Sequence, residues 1–168
     1  MITRSARGVR GWRALDYLAA DRGVCTLDAT ERAANASVAS VFTIEQIEEL
    51  HARFGNAETL ADYVRSLAAL GVARYDSFVS DGHSEYLGRD AQRATSHAVH
   101  DQLTIAESSD RDALLDHLRR HEQGETSYVE MSEGLAASGI ERWTVDTSAM
   151  SMTFYNRSGY AVRVEQIM

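Results

Sequence analysis

Gly71-Val72-Ala73-Arg74-Tyr75 and Gly139-Ile140-Glu141-Arg142-Trp143 share one pattern: glycine, branched aliphatic, any residue, arginine, aromatic. Each copy stands where a helical periodicity gives way to an alternating one, so each reads as a helix cap running into a strand. The glycine supplies the left-handed cap, and the aromatic enters the core early in the strand. Tyr75 and Val79 then share one strand face, as Trp143 and Val145 do. Arg74 and Asp76 take the other face, matched by Arg142, Thr144 and Asp146.

The flanking segments repeat in the same order. Thr43 with Gln46 forms a capping-box signature, and Ile44, Ile47, Leu50 and Phe54 recur on one face of a helix that stops at Gly55-Asn56. Leu60, Tyr63, Val64, Leu67 and Leu70 stripe a second helix ending at Gly71. Val72 to Val79 reads as a strand, Asp81-Gly82 as a tight turn, Ser84 to Leu87 as the returning strand, and Leu103 to Ala106 as a third strand after a polar loop. In the second half, Ser109 to Glu122 and Ser127 to Ser138 are helical, with Leu114, Leu115, Leu118 and then Tyr128, Met131 and Leu135 turned inward. Strands follow at Ile140–Asp146, Met150–Tyr155 and Tyr160–Ile167. In the last of these Tyr160, Val162 and Val164 alternate with Arg163 and Glu165, which predicts a buried apolar face and a wet charged one. The fold class expected is α+β, with two pseudo-repeats of helix–helix–antiparallel strands over about 43–106 and 109–168. Together they make a single domain over 41–168.

Residues 1–40 read differently. Arg4, Arg7, Arg10 and Arg13 occur with no acid before Asp16, and Ala29 to Ser40 is rich in small residues. Gly11 to Ala20 is long enough for one short helix, but no wider apolar face develops, so the segment reads as a partly ordered N-terminal extension. Its charges also exclude a signal-peptide core.

Charge and cysteine content remove whole function classes. With 25 acids against 17 bases the net charge is −8, which opposes a general affinity for nucleic-acid backbones. Cys25 is the one cysteine, so an internal disulfide and a cysteine-only metal cluster are both excluded. No apolar run reaches the ~18 residues of a membrane helix, and the expected location is cytoplasmic. The chain holds no proline, so its turns rest on Gly, Asn, Asp and Ser.

Phe42-Thr-Ile-Glu-Gln-Ile-Glu-Glu49, Phe78-Val-Ser-Asp-Gly-His83, Leu103-Thr-Ile-Ala106 and Trp143-Thr-Val-Asp146 with Phe154-Tyr155 resemble the YbcV/YdfO-like family of uncharacterised, prophage-associated bacterial proteins. The resemblance runs from about Val41 to Met168. It implies an α+β fold and a phage or prophage origin, and it carries no catalytic residues. The cysteines found in relatives near Ser132 and Met152 are missing from this chain, so it has no thiol chemistry there.

The candidate chemistry is sparse. Ser80-Asp81-Gly82-His83 concentrates polar groups: an imidazole beside a carboxylate is a general base or a metal ligand, while the same residues also make a hairpin turn. His97, His100 and Asp101 add metal-ligand types that His83 could join, against the plainer reading of a solvated loop. His117 and His121 have clamp spacing on a helix but lack the glutamate of a zinc protease; His121 extends the line of Leu114 and Leu118, and both sit near a helix C-terminus that favours positive charge. Arg74 and Arg142 would sit on one exposed sheet face, either clamping an anion or pairing with Asp76 and Asp146. No phosphate loop, dinucleotide fingerprint or nucleophile motif occurs, and no cofactor is expected. The expected function is a non-enzymatic binding module of phage or prophage origin for an unidentified protein or a small anionic ligand. Arg74, Asp81, His83 and Arg142 are its candidate contacts. The alternative is a small metal-assisted hydrolase near Asp81, His83, His97 and His100.

Overall fold

The computed structural model describes residues 42–54 and 59–168. The N-terminal extension, Cys25 and the Gly55-Asn56 helix stop lie outside the described residues. Helices α1 (Ile44–Phe54) and α2 (Leu60–Leu70) lead into strands β1 (Val72–Phe78), β2 (Ser84–Gly88) and β3 (Arg93–Thr95). Helices α3 (Arg111–Glu122) and α4 (Tyr128–Ala137) lead into β4 (Ile140–Asp146), β5 (Ser151–Asn156) and β6 (Ala161–Gln166). The six strands form one antiparallel sheet in the order β3-β2-β1-β4-β5-β6.

Local signals explain where the elements begin and end. The Thr43 amide donates to the Gln46 side chain at 2.9 Å, which starts α1 as its capping box requires. Ser127 and Glu130 make the corresponding box for α4. Gly71 closes α2 in the left-handed region at φ 105°, and Gly139 follows α4 at φ 74°. One core unites both halves: Ile47, Tyr63, Val64 and Leu67 meet Tyr75 and Tyr86, while Leu114, Leu118, Met131 and Leu135 meet Trp143, Met152 and Phe154. The opposite sheet face, bearing Arg74, Asp76, Arg142 and Thr144, has no buried strand residue and carries no helix among the described residues.

The strand registers recur at a fixed interval. Tyr75 faces Tyr86 and Trp143 faces Phe154, while Arg74 faces Leu87 and Arg142 faces Tyr155. Each ladder slips once, between Val72 and Arg74 in β1 and between Ile140 and Arg142 in β4. The backbone residues with positive φ also recur at that interval: Gly71 with Gly139, Gly82 with Met150, and Ala91 with Gly159.

Two strand expectations are corrected. Leu103–Ala106 is not a strand; the third strand is Arg93–Thr95, a polar triplet whose one inward residue, Ala94, leaves no periodicity to detect. Leu103 instead anchors a loop, its amide donating to Ser80 at 2.6 Å. In β6 Val162 packs against the core as expected, but beyond the bulge the faces exchange and Tyr160 is exposed. Val164 pairs with Thr153 on the open face and is 65% exposed, while Arg163 and Glu165 pair with the buried Phe154 and Met152 on the helix side. The edge position leaves this side half-open, so a mutually paired Arg163 and Glu165 can occupy it.

Candidate functional site

Three arginines face the open side of the sheet. Arg74 comes from the middle of β1, Arg142 from β4 and Arg93 from β3. Because β1 and β4 run antiparallel with Asp76 opposite Thr144, Arg74 and Arg142 approach the same carboxylate from opposite sides. Arg74 lies 3.4 Å from Asp76, Arg142 lies 3.8 Å from it, and the Thr144 hydroxyl donates to it. The guanidinium of Arg142 also stands 4.7 Å from the ring centre of Tyr155, where the aromatic face attracts a cation. Asp146, the other expected partner, is occupied elsewhere: its carboxylate accepts from the Ser148 and Ala149 amides and the Ser148 hydroxyl. These bonds hold its pKa below the usual carboxylate range.

Beside this cluster is a shallow cavity of about 100 Å³, lined by Arg74, Asp76, Glu85, Leu87, Arg93 and Thr95. Two guanidiniums and two carboxylates converge on it. Arg93 and Glu85 had no signal in the sequence, because they reach the cavity through the short β3 and its pairing of Glu85 with Thr95.

Asp81 and His83 form a second polar cluster at the β1–β2 turn. The turn closes through Phe78 and His83, whose backbones bond at 2.9 Å, with Gly82 at φ +78°. A side chain at Gly82 would meet Val99 at 2.9 Å and the His100 ring at 3.1 Å, so glycine is required twice over. The His83 ring stacks on Phe78 at 4.6 Å and its Nδ1 lies 2.5 Å from the Asp81 carboxylate, which also accepts from the His83 amide. Burial raises the Asp81 pKa, but the bonds from His83 and the nearby His100 outweigh it and the net shift is downward.

His100 is tied to this turn through its backbone, donating to the Asp81 carbonyl at 3.2 Å. Its Nδ1 donates to the Asp101 carbonyl at 2.8 Å, and its Nε2 is buried without a hydrogen-bond partner. His97 is exposed on the loop outside this cluster. Among the described residues, no group of three or more His, Cys, Asp and Glu is placed to hold a metal ion, so His83, His97 and His100 do not close on one point. His121 is buried beside Thr126 and its pKa is lowered by burial; His117 packs against Gly134.

The structure gathers Tyr63, Tyr75 and Tyr128, which the sequence pattern turns inward, together with Tyr86, which it does not single out. Tyr75 lies 5.3 Å from Tyr86 and 6.3 Å from Tyr63. Burial pushes the Tyr128 hydroxyl up to about 12 and raises those of Tyr63 and Tyr86. These groups are neutral hydrogen-bonding phenols in the core, not bases.

No helix among the described residues is long and apolar enough to cross a membrane. The chain matches no curated protein. The model of a family described as a protein of unknown function (DUF1398) matches residues 48–166.

Proposed function

We propose that this chain, which belongs to the DUF1398 family of proteins of unknown function, is a non-enzymatic binding module. Its open sheet face takes an anionic group, either a small ligand or a carboxylate on a protein partner. One observation carries the reading: Arg74 and Arg142, far apart in sequence, converge on the same face beside a cavity that Arg93 also lines. Guanidinium forks match planar carboxylates, and Arg74 meets Asp76 through one terminal nitrogen while staying half-exposed. Exposed ion pairs of this kind contribute under about 1 kcal/mol, so fold stability alone is a poor reason for three arginines here.

Calorimetric titration with succinate and with inorganic phosphate tests the reading. A saturable signal below about 10 mM, lost in Arg74→Ala and Arg93→Ala, supports it. If neither probe gives a signal, and no amide shifts along β1–β3 in NMR, the anion site does not exist.

A second reading keeps Asp81 and His83 as chemistry. The carboxylate on Nδ1 fixes the tautomer and leaves Nε2 able to accept a proton, which supports a small hydrolase with His83 as general base. An esterase activity abolished by His83→Gln in a folded variant would favour it over the binding module; an activity unchanged by that substitution would remove it.

The recurring registers and the helix–helix–strand order on both sides of the β1–β4 seam support an origin by internal duplication. The resemblance noted in the sequence supports a phage or prophage lineage, and the composition supports a cytoplasmic location.

A further inference from the structure

We infer that β6 is a self-pairing edge. Two copies of this chain join antiparallel along Ala161–Gln166, on a two-fold axis through Val164, and make one continuous sheet. β6 ends the sheet, so one side of its backbone has no strand neighbour among the described residues. Open edges of this kind template pairing with another strand unless proline, charge, a bulge or short length blunts them. β6 has six residues and no proline, its bulge lies toward the Ala161 end, and its two charges, Arg163 and Glu165, neutralise each other.

The exposed apolar surface lies on the same strand and just beyond its two ends. Tyr160 is 73% exposed, Val164 65% and Met168 97%, and these are the large exposed hydrophobics of the described chain. Antiparallel pairing lays the Tyr160 end of one copy beside the Met168 end of the other, with Val164 meeting the partner's Val164 at the centre.

Charge selects a second copy and this register. Arg163 and Glu165 flank Val164 on one face, in the regularly paired stretch beyond the β6 bulge. An axis through Val164 sets Arg163 opposite the partner's Glu165 and Glu165 opposite the partner's Arg163. An axis through either neighbour would instead oppose arginine to arginine or glutamate to glutamate, which is destabilising. The sequence around Val164 is therefore complementary to its own reverse. Backbone bonds supply the attraction and the alternating charges fix the register.

The test is sedimentation and native mass spectrometry on the full chain and its charge reversals. The wild type is expected at twice its 18.6 kDa chain mass. Arg163→Glu and Glu165→Arg each oppose like charges, and each raises the dimer dissociation constant at least about tenfold. Mixing the two variants restores complementarity, so a heterodimer of the two masses forms. Val164→Lys, on the open face and outside the ion pair, also gives monomer and guards against a reversal that fails to fold. A monomeric wild type overturns the inference. So does a dimer that folded Arg163→Glu or Val164→Lys leaves intact, or a mixture of folded reversals that stays monomeric.

Discussion

Thr144 donates its hydroxyl proton to the carboxylate of Asp76, its direct partner across the β1–β4 seam and the residue 68 positions before it. The same separation relates Gly71 to Gly139 and Arg74 to Arg142. The pair sits at the middle of the β1–β4 ladder. One half supplies an acid at this point and the other a hydroxyl, so the centre is chemically asymmetric. The two arginines, placed symmetrically, share the one carboxylate.

Removing that carboxylate takes from Arg74 its ion-pair partner and leaves Arg142 with Glu141 alone. Asp76→Ala is expected to lower stability by about 1–2 kcal/mol, less than for a fully buried pair because Arg74 is 52% exposed. Thr144→Val removes one hydrogen bond and costs about 1 kcal/mol. Urea denaturation of both singles and the double gives their coupling. If Asp76→Ala is as stable as wild type, the arginines do not depend on it.

Two glycines separate backbone strain from collision. Gly139 and Gly159 have similar positive φ, 74° and 77°. A Cβ at Gly159 meets nothing within 4 Å, whereas one at Gly139 would lie 2.3 Å from the Ser108 carbonyl oxygen. Gly159→Ala should therefore cost only the left-handed penalty of about 1–2 kcal/mol. Gly139→Ala must also displace the backbone leading into α3 and should cost at least about 3 kcal/mol. Equal melting temperatures for the two variants would refute the contact at Ser108.

Local periodicity made most of this fold legible in the sequence. The α2 and β1 stripes, the caps and Ile140–Asp146 follow from patterns that short-range sterics impose. The failures lie where tertiary context decides. Arg93–Thr95 is a strand because β2 offers it an edge, not because its residues alternate strongly. The apolar character of Val164 predicts an inward side chain, but β5 fixes its register through Phe154 and Met152, which claim the core face. The candidate site divides the same way. The shared strand position of Arg74 and Arg142 could be read from the repeated pentapeptide, while Asp76 as their common partner required the β1–β4 register.

Ser127 tests how far a cap holds α4 in place. Its hydroxyl accepts from the Glu130 amide, and the Glu130 carboxylate accepts from the Ser127 amide at 2.7 Å. Both bonds are exposed, so Ser127→Ala should cost about 1 kcal/mol and Ser127→Asp nearly nothing. Chemical denaturation of the two variants distinguishes the cap from a mere sequence signature; equal losses in both would show that the hydroxyl is not acting as one.

His51 gives the chain an acid-sensitive step above the carboxylate range. Its ring packs edge-on against Tyr63 at 5.5 Å, and burial lowers its pKa from 6.5 to about 4. Between those values the unfolded chain holds a proton that the folded chain lacks, so stability rises with pH across the window and is lost as pH falls. Above the window the imidazole is neutral in both states, and below it charged in both. His121, also lowered by burial, acts in the same direction; the depressed Asp81 and Asp146 add their losses mainly below the window. His51→Phe keeps a ring against Tyr63 and removes the titration. From about pH 7 to about pH 4.5, wild type should lose about 2 kcal/mol more than this variant, since one pKa unit is worth about 1.4 kcal/mol. Parallel stability curves for the two proteins over that range would mean that His51 titrates alike in the folded and unfolded chain, its ring open to solvent in both.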